Sequence, residues 1–303
     1  MIDVLVCGSL NVDLLARVAQ LPRPGETVLG KELQRLPGGK GLNQAIAAAR
    51  MGARTAMVGA IGADDDGAWL ASWLVREGVD CTRLSSRESI TTGLAYVCVA
   101  DDGENSIVVH GAANTTLTPD DARAAVEVSP SKIALAQLET PPATVAAFLA
   151  AARLHGARTI LNTAPAIEGT RALLALADIV VLNETELAQY AGVGAEKADD
   201  LPLQTYIDRA RTLDARTVIV TLGSRGALVV NDQAVAHHAA PAVDVVDTTG
   251  AGDCFCGTFA AALARGESLQ AATAYAVRAA SLAVTRPGAA PSMPHHTELE
   301  SNA

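Results

Sequence analysis

Aromatic side chains are scarce in this sequence, with two Trp, four Tyr and three Phe among 303 residues. Large rings cannot fill the core, so it must be built from Ala, Val and Leu in a chain that is 50% hydrophobic. That mix favours buried parallel strands covered by Ala-rich helices. Basic residues are not in excess either. A formal net charge of −10 argues against a globally basic, nucleic-acid-binding protein. It leaves an anionic ligand open, because backbone N–H groups bind anions locally. The five cysteines, Cys7, Cys81, Cys98, Cys254 and Cys256, form no CxxC pair and no Cys/His ligand spacing. Neither a zinc site nor a disulfide framework is indicated, and a reducing cytoplasm is expected. No apolar run approaches the ~20 residues needed to span a membrane. The first ten residues open directly on a strand-like run, Val4–Cys7, without the pattern of a signal peptide.

Short apolar runs alternate with helical patterns. Val4–Cys7, Ala56–Ala60, Ile133–Gln137, Thr159–Asn162, Ile179–Leu182 and Val218–Thr221 read as buried strands. Asn43–Met51, Gly67–Glu77, Pro142–His155 and Ile207–Leu213 read as helices. Alternation of this kind implies an α/β fold with a doubly wound, mostly parallel sheet, whose ligands gather at the carboxyl ends of the strands. Two regions break the rhythm. Asn11 to Leu36 is rich in turn residues and short extended stretches. Thr91 to His110 reads as strands Gly93–Ala100 and Asn105–His110 joined by the turn 101–104. Both suit either a small separate sheet acting as a lid or plain surface hairpins. The tail from His295 reads as a frayed, solvated terminus.

The most specific local signal is Asp247-Thr248-Thr249-Gly250-Ala251-Gly252-Asp253 ahead of an Ala-rich helix. Small residues at 250–252 let backbone N–H groups and the positive end of a helix dipole meet a ligand, which suits a phosphoryl group. Asp253 at the edge of that nest can take a proton from an attacking hydroxyl. A bare GxGD is more often a turn with a capping Asp, and the flanking Asp247-Thr248 raises the specificity. Gly38-Gly39-Lys40-Gly41-Leu42-Asn43-Gln44-Ala45 opens another helix. Its spacing departs from a Walker A loop; it fits a close backbone approach to a neutral polyol, although taken alone it reads by default as a plain loop-to-helix turn. Asn11 and Asp13 face one side of an extended chain, as needed for vicinal hydroxyls or for an Asx turn. Asn183 and Glu186 follow a strand, placed to hold hydrated Mg²⁺ or to form a capping box, or both. Thr221 to Gly226 looks like a backbone rim for a nucleotide.

Together these motifs resemble the ribokinase family of sugar kinases, also called the PfkB family, over nearly the whole chain from Val4 to about Ser292. The Gly38–Ala45 segment, with Gly103–Ile107, Gly111–Asn114 and Gln137-Leu138-Glu139, is similar to the ribokinase branch rather than to adenosine kinases or fructokinases. The resemblance implies a ribokinase-like α/β fold across residues 1–303, with a β-sheet lid from approximately 11–36 and 91–110 that also joins a homodimer. It implies transfer of the ATP γ-phosphoryl group to the primary alcohol of D-ribose. The alternatives are another sugar such as 2-deoxyribose or a ketohexose, a nucleoside, or a non-catalytic sugar-binding regulator.

By the same resemblance Asn11, Asp13, Gly39, Lys40, Asn43 and Glu139 line the sugar site. Gly250, Ala251 and Gly252 form the anion hole and Asp253 is the base. Asn183, Glu186, Thr221, Gly223 and Gly226, with Gly252, serve ATP and Mg²⁺. Asp247, Thr249, Ala283, Arg286, Gly288 and Ser292 match the positions that bind a monovalent cation, K⁺, several of them through carbonyls. Neither nucleic acid nor membrane is an expected partner. Three positions depart from the family. Leu42 adds bulk next to the sugar loop, which bears on the exact pentose, and Cys254 and Cys256 replace Thr and Asn, a change expected to affect helix packing rather than chemistry. Cys254, near a helix N-terminus, suggests some thiol reactivity.

Overall fold

The computed structural model describes residues 1–193 and 201–300. Its first half contains β1 (Ile2–Cys7), β2 (Asn11–Val18), β3 (Gly30–Gly38), α1 (Lys40–Arg50), β4 (Thr55–Gly62), α2 (Asp65–Arg76), β5 (Asp80–Arg87), β6 (Gly93–Ala100), β7 (Asn105–His110), α3 (Pro119–Val128), β8 (Ser131–Ala136) and α4 (Pro142–Leu154). There follow β9 (Arg158–Asn162), β10 (Ile179–Asn183), α5 (Glu184–Tyr190), α6 (Leu203–Arg211), β11 (Thr217–Thr221), β12 (Ala227–Asn231), β13 (Val235–His238), α7 (Ala251–Ala264), α8 (Leu269–Ala283) and α9 (His296–Glu300).

The main sheet has nine strands in the order β13-β12-β11-β10-β9-β8-β1-β4-β5. From β11 to β5 every pairing is parallel, and β12 and β13 close one edge antiparallel. Successive residues of a strand point to opposite faces, and here both faces are buried. Val4 and Val6 of β1 join one core with residues of α1, α7 and α8. Leu5 and Cys7 join the other with residues of α3 and α4. Alanine-rich α1 and α7 lie close together, because a Cβ on Gly257 would run into the backbone of Gln44 and into Ala47. A second sheet of four strands, β3-β2-β6-β7, stands apart from the first. In it β2 and β6 are parallel and the other pairs antiparallel. All six residues of its edge strand β7 are exposed.

All six strands read from the sequence are present. The expected hairpin strands 93–100 and 105–110 coincide with β6 and β7. Asn11 to Leu36 holds two long strands rather than short stretches. α1 starts at Lys40, three residues earlier than its apolar pattern suggests, and α6 lies at 203–211 instead of 207–213. Up to Glu300 the tail corrects the expectation of fraying, and residues 301–303 lie outside the described residues. His296–Glu300 is helical, Leu299 is buried in the core, and the Tyr275 hydroxyl meets His296 Nδ1 at 2.5 Å.

Candidate active site

Chain turns at the carboxyl ends of β1, β8, β9, β10 and β11 converge on the N-terminus of α7. Asp253 sits in the first turn of that helix and is buried. Its Oδ2 accepts a hydrogen bond from Asn43 Nδ2 at 2.9 Å, and its Oδ1 accepts one from Gln44 Nε2 at 2.9 Å. Burial raises the Asp253 pKa, while Lys40 and the Asn43 and Gln44 amides pull it down. Ahead of Asp253, the Ala251 N–H is turned back to the Thr248 carbonyl at 3.2 Å. The helix's remaining N-terminal donors, at 252 and 253, are left for a ligand.

These groups border a pocket of about 200 Å³ whose wall includes Lys40, Glu186, Thr248, Gly250, Ala251, Gly252, Asp253 and Cys256. Asn183, Thr221, Thr248, Ala251 and Gly252 also line a larger cavity of about 780 Å³. The rest of that cavity includes Gly223, Ser224, Val243, Val245, Phe255, Val277 and Val284. A small polar pocket thus opens into a long, mostly apolar cleft. Lys40, read as a sugar contact, lines the small pocket. Burial disfavours its ammonium, but the Asp253, Glu139 and Glu186 carboxylates together hold its pKa above the ordinary value.

On the other side of Asp253 lies a second polar group of residues. Asn11 is buried and its Oδ1 accepts from Asn114 Nδ2 at 2.8 Å. Asn114 also bonds the Leu10 N–H and carbonyl, fixing the chain between β1 and β2. The Asp13 carboxylate lies against the Cα of Gly38, where a side chain could not fit. Gly39 has φ 89° and packs on the Leu10–Asn11 backbone, a conformation and a contact that only glycine tolerates. Glu139 Oε2 accepts from Ser9 Oγ at 2.5 Å and from the Lys40 N–H at 3.1 Å, so it also caps the start of α1. Asp13 has no such partner. Burial, with Glu139 and Asp253 adding, pushes its pKa up to about 7. Asn43 Oδ1 is buried without a hydrogen-bond partner.

Asn183 and Glu186 form a reciprocal capping box at α5, with Asn183 N–H to Glu186 Oε2 at 2.9 Å and Glu186 N–H to Asn183 Oδ1 at 2.8 Å. Burial pushes Glu186 up to about 6. Thr221 and Gly223 line the long cleft, whereas Gly226 packs on the His238 backbone of β13 and borders neither cavity. Asp247 accepts from the Thr249 N–H at 2.9 Å and the Gly288 N–H at 2.8 Å, tying the two segments expected to hold a cation. Those hydrogen bonds overcome the effect of burial and lower the Asp247 pKa. The Arg286 side chain pairs with Glu298, Ser292 Oγ bonds the Ala289 carbonyl at 2.8 Å, and the Ala283 carbonyl accepts the Arg286 N–H at 3.1 Å. Arg286 therefore offers a cation only its backbone.

The chain as a whole is similar to known enzymes. The profile described as pfkB family carbohydrate kinase matches residues 1–296. The chain belongs to the pfkB family of carbohydrate kinases. It is 36% identical to a ribokinase of Haemophilus influenzae over 294 residues, 97% of this chain and 95% of that one. It is 33% identical to a deoxyribokinase of Salmonella typhi over 300 residues, 96% and 95% of the two chains. The structure of Arabidopsis thaliana ribokinase complexed with ribose and ATP matches with a TM-score of 0.84 at 32% identity, covering 99% of this chain and 98% of that one.

In this pfkB-family kinase the departures noted in the sequence are resolved by side-chain direction. Leu42 is fully buried in the hydrophobic core and does not crowd the polyol loop. Cys254 is buried and its thiol is pushed up to about 12 by desolvation, which suits the expected packing role and not the thiol reactivity also considered for it. Gln44 was visible only as part of a motif, because its partners are 118 and 209 residues away. Asn114, which holds Asn11, likewise stood in a motif without a role, and Ser9, which donates to Glu139, carried no signal of its own.

Proposed function

We propose that this kinase transfers the γ-phosphoryl group of ATP to the 5-hydroxyl of D-ribose, giving ribose 5-phosphate and ADP. The observation that carries the reading is the pair Asn43–Asp253. One carboxylate faces the small pocket at the start of α7, and the amide that holds it keeps a buried, unpartnered acceptor. A buried acceptor of this kind calls for a hydroxyl donor. Asn11, Asp13, Gly39 and Glu139 supply further polar contacts for the remaining hydroxyls. The ribokinase relatives, and the ribose and ATP bound in the Arabidopsis structure, support the same substrates.

The base Asp253 accepts the proton of the attacking hydroxyl and aligns it with the phosphoryl group. In the anion hole expected at Gly250-Ala251-Gly252, the Ala251 N–H is taken by the Thr248 carbonyl, so the N–H groups of 252 and 253 stabilise the charge on the transferring group, and Lys40 in the same pocket adds a cation. Adenosine occupies the long cleft past Thr221 and Gly223. The Glu186 carboxylate, buried with a raised pKa, fits a cation beside the phosphates, and with Asn183 would hold Mg²⁺ through water. When bound, Mg²⁺ neutralises phosphate charge. K⁺ fits the Asp247–Thr249 and Ala283–Ser292 segments, where backbone carbonyls and the lowered pKa of Asp247 favour a cation.

The small sheet acts as the lid and as a homodimer interface within one ribokinase-like domain. Tyr96, Ile107, Val108 and Val109 are at least half exposed on it, and its edge strand β7 is unpaired on one side. Five free cysteines suit the cytoplasm, and no helix among the described residues is long and apolar enough to cross a membrane. A second reading, phosphorylation of 2-deoxyribose, is favoured by the similarity to the Salmonella deoxyribokinase. Phosphorus NMR of the product decides the reaction. A ribose-dependent 5-phosphate formed in step with ADP is expected, and no ADP release with ribose would refute it.

A further inference from the structure

Beneath Asp253 lies a chain of buried amides that the reaction as described does not use. Gln44 Nε2 donates to Asp253 Oδ1 at 2.9 Å and also to Asn162 Oδ1 at 3.0 Å. Gln44 Oε1 in turn accepts from Gln137 Nε2 at 2.6 Å. Asn162 is held by its own Nδ2, which donates to the Val181 carbonyl at 3.2 Å. Gln44 and Gln137 are fully buried, and Gln137 is wedged against the Cα of Gly8 at the end of β1. Both atoms of the Gln44 amide are therefore fixed by residues at the carboxyl ends of β8 and β9, and Asn162 is in turn tied to β10. Its sequence neighbour Asn43 holds the other carboxylate oxygen.

We propose that Gln44, anchored by Gln137 and Asn162, is a positioning residue that fixes the rotation of the Asp253 carboxylate for proton abstraction. The inference rests on Asp253 being the base of the proposed reaction. A carboxylate held by one amide can pivot about that contact. Two donors on its two oxygens set the plane of the group. One oxygen, Oδ2, is then shared between Asn43 and the substrate hydroxyl, while Oδ1 is committed to Gln44. A buried base aimed in this way loses no rate to reorientation when the sugar arrives. Gln44 is fully buried and its amide is taken up by Asp253, Asn162 and Gln137, so it acts through Asp253 rather than on the sugar.

The test is a split between turnover and sugar binding. Gln44→Met keeps an unbranched side chain of similar size and removes both donors and the acceptor. Its kcat is expected to fall by about 10- to 100-fold, the range spanned by a lost charge-assisted hydrogen bond. The Kd for D-ribose, measured by calorimetry without ATP, is expected to stay within about threefold, since no sugar contact is removed. Gln137→Met leaves Gln44 in place but unanchored, and is expected to show a smaller loss of kcat with the same unchanged Kd. That variant decides the matter alone if Gln44→Met does not fold. A kcat within twofold of wild type, or a loss of kcat matched by an equal loss of ribose affinity, would overturn the proposal. Asp253→Asn, assayed alongside, separates the two levels. If that variant keeps most of its turnover, the base assignment itself fails. If it is inactive while both glutamine variants turn over normally, only the positioning role fails.

Discussion

Asn43 Nδ2 lies 2.9 Å from Asp253 Oδ2, and the other end of the Asn43 amide, Oδ1, is buried without a partner. The contact fixes the amide orientation, because an amide oxygen turned toward a carboxylate would be repelled. One residue of α1 thus faces the base with its donor and keeps its acceptor buried and unpartnered among the described residues. The relationship depends on two helices meeting at a set distance, and it generates predictions about chemistry and about packing.

Asp253→Asn removes the proton acceptor and keeps the size of the side chain, although its single amide oxygen can no longer accept from both Asn43 and Gln44. We expect kcat to drop by about 10²- to 10⁴-fold, the usual worth of general-base assistance, while ribose still binds. Steady-state kinetics with calorimetry of ribose binding checks both halves. A variant retaining most of its kcat would remove Asp253 from the role.

Asp13 supplies the pH prediction. Its folded-state pKa of about 7 lies above the ordinary 3.8, so the folded protein holds this proton more tightly than the unfolded chain does. Ionising Asp13 therefore destabilises the empty enzyme, with stability lost from about pH 4 to 7 and level above that. Asp13→Asn removes this penalty. Relative to wild type it should gain about 1–3 kcal/mol at pH 8, allowing for partial exposure, and little at pH 4. Urea denaturation at the two pH values measures the difference, and an equal gain at both would contradict it.

Gly257 is the packing prediction. A Cβ there would collide with Gln44 O, lie 2.6 Å from Ala47 Cβ and 3.0 Å from Ala48 N. Alanine favours a helix interior by about 1 kcal/mol, but overpacking of this kind costs about 1–3 kcal/mol and pushes α1 from α7. Gly257→Ala should lower the melting temperature and, by displacing Asn43 and Gln44 from Asp253, lower kcat more than it raises the sugar KM. A variant as stable and active as wild type would show that the helices do not set this geometry.

For the proposed cation site, activity at fixed Mg²⁺ should be higher in KCl than in tetramethylammonium chloride. Asp247→Ala, which frees the Thr249 and Gly288 N–H groups, should lose most of that difference. Initial rates in the two salts provide the comparison. Equal rates for the wild-type enzyme would exclude the site.

Much of the architecture was legible because parallel strands buried on both faces read as apolar runs. β5, β12 and β13 were not. β5 carries Asp80, Thr82, Arg83, Ser85, Ser86 and Arg87 at a half-exposed sheet edge, so no apolar run marks it. Three separate motifs singled out Asp13, Asn43 and Asp253, but side-chain direction was beyond them. Leu42 precedes Asn43 yet points into the core, and Arg286 turns away to Glu298. Gln44 was invisible as a positioning group because its role depends on contacts with α7, β8 and β9, brought together only by the sheet order.

Asn11, Asp13, Asn43 and Glu139 together offer more hydrogen-bonding capacity than a deoxysugar satisfies, and each buried group left unpaired costs about 1–3 kcal/mol. The decisive measurement is kcat/KM by coupled ADP release for D-ribose, 2-deoxyribose, a ketohexose and adenosine under identical conditions. Ribose should lead 2-deoxyribose by at least about tenfold, the low end of that penalty, and lead the others by more. Comparable efficiency on ribose and 2-deoxyribose, or a clear preference for the ketohexose or adenosine, would contradict the assignment.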